Sequence, residues 1–288
     1  MTSKNNTIKI TESPRESFQA TRRIVSTEEK ADYINLLIDA GFDTIDAGSF
    51  VSQKALPQLK DTAQVLNLLK TSDLKTKIMV TVGNYKGAKQ AVGFKNVDVV
   101  GFLYSVSPTF LKLNTNATIY DALVSLGRIN DLCIKNDKTI LVNICLAFGN
   151  PYGDSFEVND VITAVERMSE YGIKKIVLAD TLACADEQLI SKVFESCLSK
   201  FPDLEFGFHL HILEDDSWEE KVKAAYNAGC RNFDSVILGI GGCPMSGIDM
   251  KKNLSTTELV SFCRQNSVET NIDMSVLNRA KTKAREIF

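Results

Sequence analysis

The sequence predicts an α/β chain folded as a (β/α)8 TIM barrel with an additional C-terminal helix. Three observations point there. About eight short apolar runs suited to strands alternate with helical patterns along the 288 residues. The strand-helix unit repeats about every 30–35 residues, as parallel βα units do. No Gly-x-Gly-x-x-Gly follows the first strand and no P-loop occurs, which argues against the rival doubly wound dinucleotide-binding sheet. No Gly-rich linker divides the chain, so residues 1–288 are read as a single domain.

The strand candidates, in order, are "TIKIT", "FDTIDAG", "KIMVTV", "VDVVGFLYSV", "KTILVNICLAFG", "KKIVLAD", "LEFGFHLHI" and "RNFDSVILG". Helical segments lie between them. "STEEKADYINLLIDAG" opens on a Ser/Thr cap followed by Glu and closes on Gly41. "FEVNDVITAVERMSEYG" places Val158, Val161, Ile162, Val165 and Met168 on one helical face and stops at Gly172. "DEQLISKVFESCLSKFP" and "DSWEEKVKAAYNAG" repeat that pattern. Residues 266–288 read as a helical extension, with its helix from Asp273 to Phe288.

Composition narrows the function. The chain is 44% hydrophobic and carries a formal charge of −3, which disfavours broad binding to a nucleic-acid backbone. No apolar run approaches the ~20 residues of a membrane span, and "MTSKNNTIKI" lacks signal-peptide character. A cytoplasmic location is the expectation. The seven cysteines are scattered, odd in number and without a Cys-x-x-Cys, which suits buried thiols in a reducing compartment.

In this fold the chemistry sits at the C-terminal ends of the strands. Those ends carry Glu12, Arg15 and Glu16; Asp46 and Ser49; Asn143 and Cys145; Asp180 and Thr181; and His209 and His211. The two histidines are the only ones in the chain, and as His-x-His on a strand they share a face. Spacing alone leaves open a hydrogen-bonded pair without metal. Asp180 before Thr181 equally suits a helix cap, whereas Asp46 in the apolar run "TIDAG" needs a partner. After the last strand comes the Gly-rich segment 239–253, with Cys243 and Asn253, which reads as a connection or as a lid over an active site. Two imidazoles, a carboxylate and a carboxamide from separate strand ends can converge on one cation, and this donor set suits Mg2+ or Mn2+ as well as Zn2+.

Several stretches carry a resemblance: "ESPRESFQ", "IDAGSFVSQKALPQLKDTAQVL", "AFGNPYGD", "FHLH", "AAYNAGCRNFD" and "GIGGCPMSGIDMKKNLSTTELV". Together they resemble the 3-hydroxy-3-methylglutaryl-CoA lyases, in their bacterial form, within the DRE-TIM metallolyase superfamily. The "GGCP" segment is the most specific of them. The resemblance implies divalent-metal-dependent cleavage of 3-hydroxy-3-methylglutaryl-CoA to acetoacetate and acetyl-CoA, as in leucine degradation and ketone-body formation. It implies one Mg2+ or Mn2+ per subunit, no organic cofactor, an acyl-CoA substrate and a homodimer. By the same resemblance Glu16, His209, His211 and Asn253 are metal ligands. Arg15, Cys243, Asp46 and Asp180 are catalytic, and Arg15, Gln19, Ser49 and Thr181 contact substrate. Three departures stand out: Glu16 replaces the family's Asp, Asp46 replaces the Glu of many members, and "ILEDD" follows the histidines where Asp-Thr or Thr-Thr is usual. One longer and one shorter carboxylate compensate if they are near neighbours. The alternatives are a related lyase or aldolase acting on another 3-hydroxyacyl substrate, and a paralogue that binds metal or acyl-CoA without turnover.

Overall fold

The computed structural model describes residues 6–52, 54, 56–70, 75–213, 217–242 and 252–288. Eight parallel strands form a closed ring: β1 Lys9–Glu12, β2 Thr44–Phe50, β3 Lys77–Val82, β4 Val99–Ser105, β5 Thr139–Cys145, β6 Lys175–Asp180, β7 Glu205–Ile212 and β8 Asn232–Ser235. Each pairs with its neighbour in sequence, and β8 pairs with β1 to close the barrel. A ninth strand, β9 (Lys252–Asn253), lies antiparallel on the end of β7 and sets Asn253 opposite His211. The (β/α)8 expectation holds.

Local signals place the helices. Helix α1 (Pro14–Ala20) begins on a proline directly after β1. Helix α2 (Thr27–Asp39) opens with a capping box between Ser26 and Glu29. It stops before Gly41, whose φ of 86° suits glycine. The remaining helices are α3 (Thr62–Leu68), α4 (Tyr85–Ala91), α5 (Pro108–Thr115), α6 (Ile119–Lys135), α7 (Val158–Glu170), α8 (Glu187–Lys200), α9 (Trp218–Asn227), α10 (Thr256–Gln265) and α11 (Met274–Ile287). The C-terminal extension is a turn followed by α11. This helix packs on α2, where Phe288 meets Phe18 and Tyr33 with ring centroids 5.3 and 5.7 Å apart.

Strand alternation sorts the side chains into two layers. Ile10, Ile45, Val80, Phe102, Val142, Leu178, Phe208 and Phe233 point outward and form the main core beneath the helices. The alternate positions point into the barrel. Strand β2 breaks this parity with a bulge between Asp46 and Gly48. Asp46 and Ser49, three residues apart, therefore both face inward. Gly48 allows the step, because a Cβ there would lie 2.7 Å from the Thr62 methyl group.

Candidate active site

A pocket opens at the C-terminal mouth of the barrel. Its wall includes Arg15, Glu16, Gln19, Asp46, Ser49, Thr181, His209 and His211, all named from the sequence. Thr81, Asn143, Cys145 and Asp234 line it as well, together with the apolar Met79, Leu103, Val51 and Leu56.

The two imidazoles stand with their Nε2 atoms 3.1 Å apart. His211 Nδ1 lies 3.0 Å from the Thr181 carbonyl oxygen, which can only accept, so Nδ1 carries the proton. His209 Nδ1 is 3.3 Å from the Asp234 carboxylate and donates in the same sense. These outer contacts turn both Nε2 atoms toward one point. Two nitrogen lone pairs at that separation repel unless a proton or a cation lies between them. Glu16 completes the group: one ligand atom each from Glu16, His209 and His211 falls within 4.8 Å of the others.

Asn253 supplies the independent sign of a cation. Its side-chain amide donates to Glu16 Oε2 at 2.8 Å. Its Oδ1 is buried and has no hydrogen-bond partner among the described residues, a costly state for a polar atom unless something positive faces it. Four oxygen and nitrogen donors without a thiolate fit a hard or borderline divalent ion. The backbone is shaped for this approach too. Gly241 passes so close that a Cβ would lie 2.7 Å from Asn253 Nδ2 and 2.9 Å from Glu16 Cβ.

Charge is balanced through Arg15. Its Nη2 lies 2.8 Å from Asp46 Oδ2 and 3.2 Å from Glu16 Oε1, and its Nε donates to Asp46 Oδ2 at 2.9 Å. The two departing carboxylates thus share one guanidinium, so the near-neighbour condition for compensation is met. The Thr81 hydroxyl donates to Asp46 Oδ2 at 3.2 Å and holds the shorter acid in place. Gln19 reaches both Arg15 and the Gly242 carbonyl, and the Ser17 hydroxyl donates to the Ile240 carbonyl, so α1 ties down the first residues of segment 239–253.

Electrostatics follow from burial. Burial works against the Glu16 carboxylate, but His209, Arg15, His211 and Asn253 together outweigh it and hold its pKa at about 2. Desolvation, assisted by the neighbouring His209, pushes His211 down to about 4. Burial lowers His209, yet Glu16 and Asp234 more than reverse this and raise it. Burial lifts Asp46 above its ordinary value even with Arg15 opposing.

Asp180 stands apart from this constellation. As the sixth residue of β6 it points outward, and its two oxygens accept the backbone N–H groups of Cys184 and Ala185, each at 3.0 Å. It thus caps the turn after β6 and not the next helix, whose N-cap is Asp186. Thr181 faces the pocket, its hydroxyl accepting from Leu146 N. Ser49 Oγ is buried in the wall with no partner among the described residues. Cys243 lies outside the described residues. Asp234 escaped the sequence reading, although an acid next to Phe233 in the strand "NFDS" was the available signal.

Comparison with known proteins identifies the family. Hydroxymethylglutaryl-CoA lyase YngG of Bacillus subtilis is 28% identical over 264 residues, spanning 92% of this chain and 87% of its own. The (R)-citramalyl-CoA lyase of Chloroflexus aurantiacus is 26% identical, spanning 92% of this chain and 85% of its own. A solved HMG-CoA lyase from Acinetobacter baumannii, in complex with coenzyme A and 3-methylmalate, superposes with a TM-score of 0.91 at 28% identity. The match covers all of this chain and 93% of that one. The HMGL-like family itself matches residues 7–283. The chain belongs to the HMGL-like family.

Proposed function

We propose that this protein is a divalent-metal-dependent carbon–carbon lyase that cleaves 3-hydroxy-3-methylglutaryl-CoA to acetoacetate and acetyl-CoA. The single observation that carries the reading is the convergence of Glu16, His209, His211 and the unpartnered Asn253 Oδ1 beside an arginine held by two acids. Glu16, His209, His211 and Asn253 would hold a divalent cation, Mg2+ or Mn2+ by the family resemblance, and that ion would supply Lewis-acid chemistry toward the substrate's oxygens.

The protein's own groups account for the rest. A base must take the hydroxyl proton before the C2–C3 bond breaks. Asp46 suits that role: it lines the pocket, and burial raises its proton affinity above that of an ordinary aspartate. Asp180 is less suited, with both oxygens occupied by backbone N–H groups outside the pocket lining. Electrons released by the bond cleavage pass to the thioester carbonyl of departing acetyl-CoA. Arg15, held rigidly by Asp46, Glu16 and Gln19, is the pocket's guanidinium for that developing enolate. Cys243 remains the proposed donor that protonates the enolate, and Gln19, Ser49 and Thr181 the proposed substrate contacts. Among the described residues no helix is long and apolar enough to cross a membrane.

The citramalyl-CoA lyase relative supports a second reading, in which the site accepts a different 3-hydroxyacyl-CoA. One assay separates the two. Acetoacetate from 3-hydroxy-3-methylglutaryl-CoA and pyruvate from citramalyl-CoA are followed with Mg2+, with Mn2+ and after chelation. Metal-dependent acetoacetate as the faster product is expected. Pyruvate as the faster product transfers the assignment to the second substrate, and no product from either overturns both.

A further inference from the structure

Glu12 is a buried acid that the chemistry above does not use. It ends β1 with no exposed surface, and alternation turns it outward with Ile10, into the layer where the barrel meets its helices. A carboxyl group in that layer demands partners. Its Oε1 accepts the Ile237 N–H at 2.9 Å, and its Oε2 is hydrogen-bonded to the Thr256 hydroxyl. Thr256 Oγ1 in turn lies 2.8 Å from Ser235 Oγ. Tyr33 of α2 is the titratable neighbour, its phenol pushed up by burial and by the charge of Glu12.

The two partners of Glu12 lie on opposite sides of segment 239–253. Backbone hydrogen bonds join these flanks directly: Val236 N to Leu254 O at 3.0 Å, Thr256 N to Val236 O at 3.1 Å, and Asn253 N to Gly239 O at 2.9 Å. Glu12 therefore stands under the crossing from which Asn253 projects toward Glu16. We propose that Glu12 is a positioning residue. By tying Ile237 to Thr256 it fixes the stem of this segment and sets the Asn253 amide against the Glu16–histidine group, and so tunes affinity for the divalent cation. The proposal rests on reading Asn253 as a ligand.

The proton inventory is consistent with a structural clamp. Burial raises the Glu12 pKa to about 8, so at neutral pH the group is largely a carboxylic acid. Its O–H then donates to Thr256, Thr256 donates to Ser235, and the carbonyl oxygen takes Ile237 N–H. A glutamine side chain carries an equivalent donor and acceptor pair.

The test is Mn2+ binding, measured calorimetrically on the full-length protein without substrate. The proteins compared are the parent, Glu12→Gln, Glu12→Leu, Asn253→Ala and the Glu12→Leu/Asn253→Ala double variant. Glu12→Gln is expected to keep Mn2+ affinity within about twofold. Glu12→Leu should weaken it about tenfold, the lower end of the loss seen when an outer support of a metal site is removed. That loss should vanish in the Asn253→Ala background. Unchanged affinity in Glu12→Leu, or a loss that persists in full in the double variant, overturns the proposal. If Glu12→Leu does not fold, Thr256→Val removes the same contact from the other side and is judged by the same criteria. Asn253→Ala alone tests the ligand reading: parental affinity there overturns that reading and this proposal together. Turnover is not measured, so failure to cleave a given acyl-CoA does not enter the result.

Discussion

The two ends of the barrel are both polar, yet they handle charge in opposite ways. At the N-terminal end, Lys9 and Lys175 flank Glu205 at 3.6 and 3.4 Å, and the Glu205 side chain is 48% exposed. Water solvates each group, and the attraction between them is weak. At the C-terminal end Glu16, Asp46 and His211 are buried, with Arg15 as the nearby positive partner. Buried acids held this way create a strong field at one point. One fold thus makes a tolerant end and a demanding end, and the demanding end is where the proposed cation and oxyanion would be met.

The contrast can be broken most sharply at Arg15. Arg15→Gln removes the bridge between the two acids and the donor for developing charge. It should lower kcat for lyase turnover by about 10²–10³-fold, measured at saturating metal. A loss confined to KM would mean that Arg15 binds the ground state and transition state equally. Next comes Asp234→Asn, which alters the support of His209 without touching the ligand atom. Mn2+ affinity should fall about 10-fold or more, read by calorimetry.

The third effect is a pH dependence centred on the buried end. Glu12 has a folded pKa near 8 against an ordinary value of 4.5. Between those values the folded state binds more protons than the unfolded one, so this residue's contribution to stability falls as pH rises through that window. Thermal melts of metal-free parent and Glu12→Gln should therefore diverge from pH 5 to pH 8, with the parent losing relative stability. Glu16 works with the opposite sign: its stabilising contribution is present above 4.5 and is lost as pH falls toward about 2. The smallest effect belongs to the exposed end. Glu205→Gln should change stability by less than about 1 kcal/mol in denaturant melts and leave turnover unaltered. A large loss there would erase the distinction between the two ends.

Much of the demanding end was legible because its residues lie within a residue or two of strand ends. Once eight βα units are counted, Glu16, Asp46, Thr181, His209 and His211 fall at one mouth by architecture alone. Asp180 was harder to place. It sits one residue from Thr181, and only the phase of β6 shows that it faces the helices while Thr181 faces the pocket. Ser49 and Asp46 illustrate the reverse problem. Strict alternation would put them on opposite faces, and the bulge that reunites them depends on Gly48 meeting Thr62, a contact between β2 and α3. Asp234 and Thr81 were not singled out because each takes its meaning from a partner on another strand.

The sequence by itself determined the barrel, the order of its units and the mouth at which chemistry takes place. Those follow from hydrophobic periodicity and from short-range caps and turns, which act over a few residues. Only the tertiary structure decided which acid meets which base. Arg15 joins Glu16 to Asp46 across 31 residues of chain, Asn253 meets Glu16 across 237, and Glu12 meets Thr256 across 244. The reason is physical: the energy of a buried charge is set by the few ångströms around it, and closing the ring brings together groups far apart in the chain.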